Sequence, residues 1–187
     1  IRFDRVLEPY GALGDLGWYC IGHLLYFFGD ELPTKVWATA EYSHGNDKDK
    51  GAILRCDGVL WFSNGRKATF DCSFIDCMRQ DAEYLSNSSI VRVHDFVLPF
   101  ENERIIFPRE THDDKATYTE TDGQGVTKKY VVEPHYQHVH LFKQFAQAAM
   151  NPLSDEAKSW GERTWRNLRV LDAIFQAAYT EQVVTLQ

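Results

Sequence analysis

The chain has 187 residues, a formal net charge of −7, 44% hydrophobic residues and 14% aromatic ones. That length suits one ordinary domain with a sizeable core, and the composition is too apolar for a disordered segment. An acidic balance with no cluster of Lys and Arg argues against nucleic acid and an anionic membrane surface as partners.

No apolar run approaches the roughly 18–20 residues that a membrane span needs. Cys20, Cys56, Cys72 and Cys77 form no CxxC pair and read as buried free thiols, which points to the cytoplasm or another reducing compartment. The chain opens on Ile1, not Met, so it is expected to begin downstream of the true start. Organelle targeting therefore stays open.

Residues 1–9 read as an extended connector. From Gly11 to Gly29, Leu13, Leu16, Cys20, Leu24 and Phe27 follow helical spacing, with Gly29 as the C-cap. Gly11, Gly14 and Gly17 cost up to about 1 kcal/mol each inside a helix, and close approach of a ligand is one reason to keep them. From Val36 the period becomes two. Strands are expected at 36–42, 52–62 and 67–74, the last two joined by the hairpin signal Asn64-Gly65. A second hairpin, 81–85 with 90–93, turns at Ser86-Asn87-Ser88. Shorter strands follow at 97–98, 104–107, 116–121 and 126–132, with polar loops at 44–50 and 110–115. Helical spacing returns over 135–150, where Val139, Phe142, Phe145, Ala146 and Ala149 share a face. A last helix over 161–179 is expected to turn Trp165, Leu168, Leu171, Asp172 and Phe175 inward, before a short strand at 183–186.

This order predicts an α+β domain: a mostly antiparallel open sheet over residues 36–132, with helices packed on one face. Trp61, Phe70, Phe74 and Tyr84 are expected on the other face, as an interface for a homodimer. No G-x-G-x-x-G follows a strand, and Gly11-x-x-Gly14-x-x-Gly17 has the wrong spacing for a phosphate loop.

Asp15 and Tyr19, four apart, lie on one face of a helix. Alone, Asp15 reads equally as a first-turn carboxylate and Tyr19 as a core or interface aromatic. His135, His138 and His140 lack the spacing and the carboxylate or Cys partner of a metal site, so no metal is expected.

The stretch Gly11-Ala-Leu-Gly-Asp-Leu-Gly-Trp-Tyr-Cys-Ile resembles the substrate-domain signature of the Gfo/Idh/MocA oxidoreductases. Its Tyr form resembles the dimeric dihydrodiol dehydrogenase, D-xylose dehydrogenase and glucose–fructose oxidoreductase branch more than the inositol dehydrogenase branch. Ile1-Arg-Phe-Asp, residues 88–99, Val170-Leu-Asp-Ala-Ile and the ending Val183-Val-Thr-Leu also resemble members of that family.

The resemblance implies that residues 1–187 are the C-terminal substrate-binding and oligomerisation domain of a two-domain enzyme. A Rossmann domain absent from this chain would hold NADP or NAD and a catalytic lysine. The implied substrate is a small sugar, polyol or cyclic diol oxidised at CH–OH, and the chain alone is expected to be inactive and to bind negligible cofactor. Tyr19 is implied as the acid/base, since a nearby cation can lower a phenol pKa from its ordinary value of about 10. Asp15 would orient it, with His23, Gly14, Gly17 and Trp18 on the substrate side. Gly22 departs from the family pattern, which often has Asp or Asn there, and His23 is the candidate replacement. The rival reading is a non-catalytic dimerisation or assembly module.

Overall fold

The computed structural model describes residues 2–97, 116–132 and 137–186. The chain forms two compact units, Ile1–Asp76 with Ala148–Gln187, and Cys77–Gln147. The strands are β1 (Lys35–Tyr42), β2 (Ile53–Trp61), β3 (Lys67–Ser73), β4 (Ala82–Leu85), β5 (Ser89–Val93), β6 (Ala116–Asp122), β7 (Thr127–Val132) and β8 (Val184–Thr185). A π turn, Leu13–Gly17, leads into α1 (Trp18–Phe27), and α2 (Gln137–Met150) and α3 (Asp155–Thr180) follow later in the chain.

The α+β reading holds, with antiparallel pairing throughout and neither sheet closed. The strands divide into two four-stranded sheets, ordered β3-β2-β1-β8 and β4-β5-β6-β7, where the patterning predicted one. The expected segments at 104–107 and 110–115, and Leu98, lie outside the described residues.

In the first unit, α1 and α3 cover one face of the sheet. Alternation in β1, β2 and β3 sends Val36, Ala38, Cys56, Leu60, Phe70 and Cys72 to that face, and all are buried. Phe70 thus lies in the core, opposite Gly58, where an added Cβ would stand 2.7 Å from its ring. Phe74 also packs against the core. Of the aromatics expected on the open face of this sheet, only Trp61 is there, because which parity is buried depends on what covers the sheet.

Both helix registers differ from the spacing read off the sequence. Leu13, Gly17, Ile21 and Leu25 are buried, while Phe27 is 51% exposed. The π turn inserts a residue, so inward positions recur every fourth residue across the junction. Gly29 does cap α1. At φ 67°, its N–H reaches the Tyr26 carbonyl and the Asp30 N–H reaches that of Leu25, a Schellman arrangement. In α3 the buried strip is Asn167, Val170, Leu171, Ala173, Ile174, Ala177 and Ala178. Trp165 and Leu168 are exposed, as is Asp172. The helix also starts earlier than expected, at a Ser154 cap whose Oγ accepts the Ala157 N–H at 3.2 Å.

The turns match expectation. Asn64 and Gly65 carry positive φ, Ser86 Oγ accepts the N–H groups of Ser88 and Ser89, and Asp122 Oδ1 accepts those of Gln124 and Val126. In the second unit, Tyr118 and Tyr130 pair across β6 and β7 with rings stacked at 4.7 Å. The α2 face holding Val139, Phe142 and Phe145 is not buried but exposed. Periodicity identifies residues that share a face, not what covers them.

Gly11 couples the first helix to the sheet. Its φ is 51°, and a Cβ there would lie 2.4 Å from the Ile53 carbonyl oxygen. Gly11→Ala should therefore destabilise the chain by about 1–3 kcal/mol, read as a lower urea midpoint at unchanged slope. An unchanged midpoint would remove Gly11 as the contact that seats the helix.

Candidate functional site

The site is built on the π turn and the first two turns of α1. Their inner side is tied down by Leu13, Gly17 and Ile21, so the outer side is presented to solvent as a fixed surface. Tyr19 lies on that surface, 50% exposed, and its hydroxyl has no hydrogen-bond partner among the described residues. Asp15, one turn earlier, pairs with Arg2, whose Nε lies 2.6 Å from Oδ1. Arg2 was not legible as part of the site, because nothing in local spacing links it to a residue thirteen positions on. No hydrogen bond joins Asp15 to Tyr19.

The remaining expected residues fall into two groups. His23, one turn beyond Tyr19, is half-buried, and burial lowers its imidazole pKa below the ordinary value. Gly14, Gly17 and Trp18 face the protein itself. A Cβ at Gly14 would meet Glu8 Oε1 at 2.5 Å, and one at Gly17 would lie 2.9 Å from Leu13 and 3.5 Å from Cys72 Sγ. Trp18 packs against the core. Internal packing therefore accounts for all three glycines, and the ligand explanation for them is not needed.

The same geometry tests whether this segment could hold a dinucleotide. A pyrophosphate cradle needs open N–H groups and bare glycines at a helix start. Here the Glu8 carboxylate lies over Gly14, and Gly11 is pressed on β2. These residues do not fit a nicotinamide dinucleotide.

Beneath the site lie three thiols. Burial pushes Cys20 up to about 11 and Cys56 up to about 12, with Cys72 raised further, so these are poor nucleophiles near neutrality. All four cysteines are free, and Cys77 is exposed rather than buried. Of the three histidines in the late cluster, His140 is exposed, while His135 and the side chain of His138 lie outside the described residues.

Among the described residues, Asn167 is the one buried polar residue of the core, and sequence reasoning missed it. From α3 its Nδ2 donates to the main-chain carbonyl of Trp18 at 3.1 Å, beside Gly22. Stepping back by helical spacing from Val170, Leu171 and Ile174 reaches Asn167, which is the signal that could have found it.

Residues 1–92 match the model of the GFO/IDH/MocA C-terminal domain. Over these residues, just under half of the chain, the sequence is similar to that family's C-terminal domain. The match takes in Gly11–Ile21, the strands β1 to β4 and β5 up to Arg92.

Among solved structures, aldose–aldose oxidoreductase from Caulobacter crescentus, complexed with glycerol, is 17% identical with a TM-score of 0.72. The match covers 97% of this chain and 49% of that one. The 3-ketoreductase KijD10 from Actinomadura kijaniata, in complex with TDP-benzene and NADP, is 20% identical with a TM-score of 0.68. It aligns over 89% of this chain and 48% of its own. These likenesses establish the fold, and the chain spans about half the length of the structures it matches. Among the described residues, no helix is long and apolar enough to cross a membrane.

The half-buried His23 has a measurable consequence. Its folded pKa lies below the unfolded value, so the unfolded chain takes up the proton first as pH falls. Stability should be fullest above the ordinary imidazole value of about 6.5 and decline as pH drops towards the folded value. His23→Gln should flatten that part of a plot of Tm against pH. Parallel plots for the two proteins would show that His23 does not sense its surroundings in this way.

Proposed function

We propose that this domain is the substrate side of an NADP- or NAD-dependent oxidoreductase acting on CH–OH groups of a sugar, polyol or cyclic diol. Tyr19 is its acid/base. The observation that carries this reading is the exposed Tyr19 hydroxyl, without a hydrogen-bond partner among the described residues, on a helix whose opposite side is locked into the core. π turns occur frequently at functional sites, and one lies immediately before Tyr19. The family match over residues 1–92, and the oxidoreductase activities of KijD10 and the aldose–aldose enzyme, support the same class.

The cofactor belongs to residues outside this chain, in a Rossmann domain preceding it, since the segment here does not fit one. Tyr19 would accept the proton of the substrate hydroxyl as the alcohol is oxidised. A cation brought to the phenol from that other domain, the lysine implied by the family resemblance, would make it basic enough. Asp15, held by Arg2, orients the groups around Tyr19. His23, one turn on, is the first residue we assign to substrate contact. Gly14, Gly17 and Trp18 contribute by letting the helix seat closely.

In the enzyme that contains this chain, Tyr19→Phe should lower kcat by about 10²–10⁴-fold, with Tm and cofactor affinity unchanged. Near-normal kcat in that variant would reassign the proton transfer. The assembly-module reading would then stand, because packing alone accounts for the three glycines.

The uncovered face of the first sheet suits a homodimer. In register across β1, β2 and β3, Lys35, Trp61 and Lys67 form one row, with Lys35 Nζ 5.0 Å from the Trp61 ring centre. Two rows along, Thr39, Asp57 and Asp71 form another, and Thr39 Oγ1 donates to Asp57 Oδ2 at 3.0 Å. Two carboxylates directly opposite each other are unfavourable in an isolated sheet. A two-fold axis between the rows sets each basic row against the partner's acidic row, a self-complementary arrangement. Light scattering should give a dimer mass, and Lys67→Glu should weaken the dimer about tenfold or more. A monomer at all micromolar concentrations would exclude this assembly.

A further inference from the structure

We infer that Asn167 is a positioning residue for Tyr19, acting from α3 through the main chain of α1; the inference rests on the assignment of proton transfer to Tyr19. Asn167 is buried at 5% exposure in a strip that is otherwise Val, Leu, Ile and Ala. Its Nδ2 donates to the Trp18 carbonyl at 3.1 Å, while its Oδ1 is buried with no hydrogen-bond partner among the described residues. An amide satisfied on one side only is a poor choice for stability, since an orphaned buried acceptor costs free energy that an apolar residue of similar size would not. Retaining it calls for a different reason, and its single bond supplies one.

The carbonyl it holds belongs to the peptide joining Trp18 to Tyr19. That unit is planar, so fixing its oxygen fixes the plane containing the Tyr19 nitrogen and Cα, and at the helical φ of α1 this sets the direction of the Cα–Cβ bond. The contact falls just where the π turn gives way to α-helix, the point at which the hydrogen-bond register changes. Gly22 leaves room for it: a Cβ there would lie 3.5 Å from Asn167 Nδ2. Trp18 is itself anchored against the core, so the clamp has a fixed footing on both sides of the carbonyl. The outcome is a Tyr19 side chain that is exposed but aimed, with its main chain held from below by a different helix.

The test is a double-mutant cycle in the enzyme that contains this chain, using Asn167→Leu and Tyr19→Phe and measuring kcat, KM and Tm. Misplacing a reacting group by about 1 Å can cost on the order of 10²-fold in rate. Asn167→Leu should therefore lower kcat about 10- to 100-fold, with KM nearly unchanged and Tm within about 4 °C of the parent. In the Tyr19→Phe background the same substitution should change kcat hardly at all, because there is no phenol left to aim. Equal losses in both backgrounds, or a kcat loss that follows a falling Tm, would make Asn167 an ordinary packing residue and overturn the inference. Unchanged kcat in Asn167→Leu alongside an inactive Tyr19→Phe would overturn it while leaving the role of Tyr19 intact. An active Tyr19→Phe would remove both. Should Asn167→Leu fail to fold, Asn167→Ala deletes the amide without adding bulk, and the same cycle is read with it.

Discussion

The backbone of Gly11 rests directly on the backbone of Ile53 in β2, at a separation that admits no side chain. Everything that distinguishes this domain depends on that contact. It sets the start of the first helical segment at a fixed height on the sheet, and Leu13, Gly17, Ile21 and Leu25 then complete the seating. The inner side is apolar and closely packed, so the segment resists rolling, and its outer side becomes a platform. Tyr19 is presented on that platform, while Asp15 is tethered by Arg2 at its near end.

The three glycines illustrate how one residue choice can serve two accounts. Each is accounted for by a close internal approach, to β2, to Glu8 or to Leu13 and Cys72. Glycine spacing is therefore evidence for a tightly docked helix, and not in itself for a ligand. The proposed function rests instead on what the docking leaves outside, namely the exposed hydroxyl of Tyr19, and on Asn167, whose buried amide donates to the peptide next to that residue. The π turn belongs to the same logic. It shifts the inward register by one residue just before the platform, so that Ile21, not Cys20, is the fully buried neighbour of Tyr19.

What could be read from the sequence was what is decided locally. Asn64-Gly65, Ser86–Ser88 and Asp122–Gly125 specify their turns within a few residues, and the strands on either side follow from alternation. The Asp15/Tyr19 motif was legible for the same reason, as a short run with a recognisable order. What was not legible depended on partners far along the chain. The phase of α1 hinges on a π turn stabilised by docking to β2. The phase of α3 is set by how its buried strip packs on α1 and β1, more than a hundred positions earlier in the chain. Trp165 and Leu168 looked like core residues because they are large and apolar, yet the buried strip is made mostly of Ala, Val and Ile, which let two helices approach the sheet. Phe70 was misplaced because alternation fixes parity but not which parity is covered, and the space above Gly58 decides it.

We propose that Tyr19 is presented to solvent so that its hydroxyl can exchange a proton with substrate. The most direct measurement is the pH dependence of kcat/KM for alcohol oxidation by the enzyme that contains this chain, compared with its Tyr19→Phe variant. A limb rising with pH from a single ionising group is expected in the parent enzyme, and that limb should be lost in the variant. Profiles that superimpose in shape for the two proteins would contradict it.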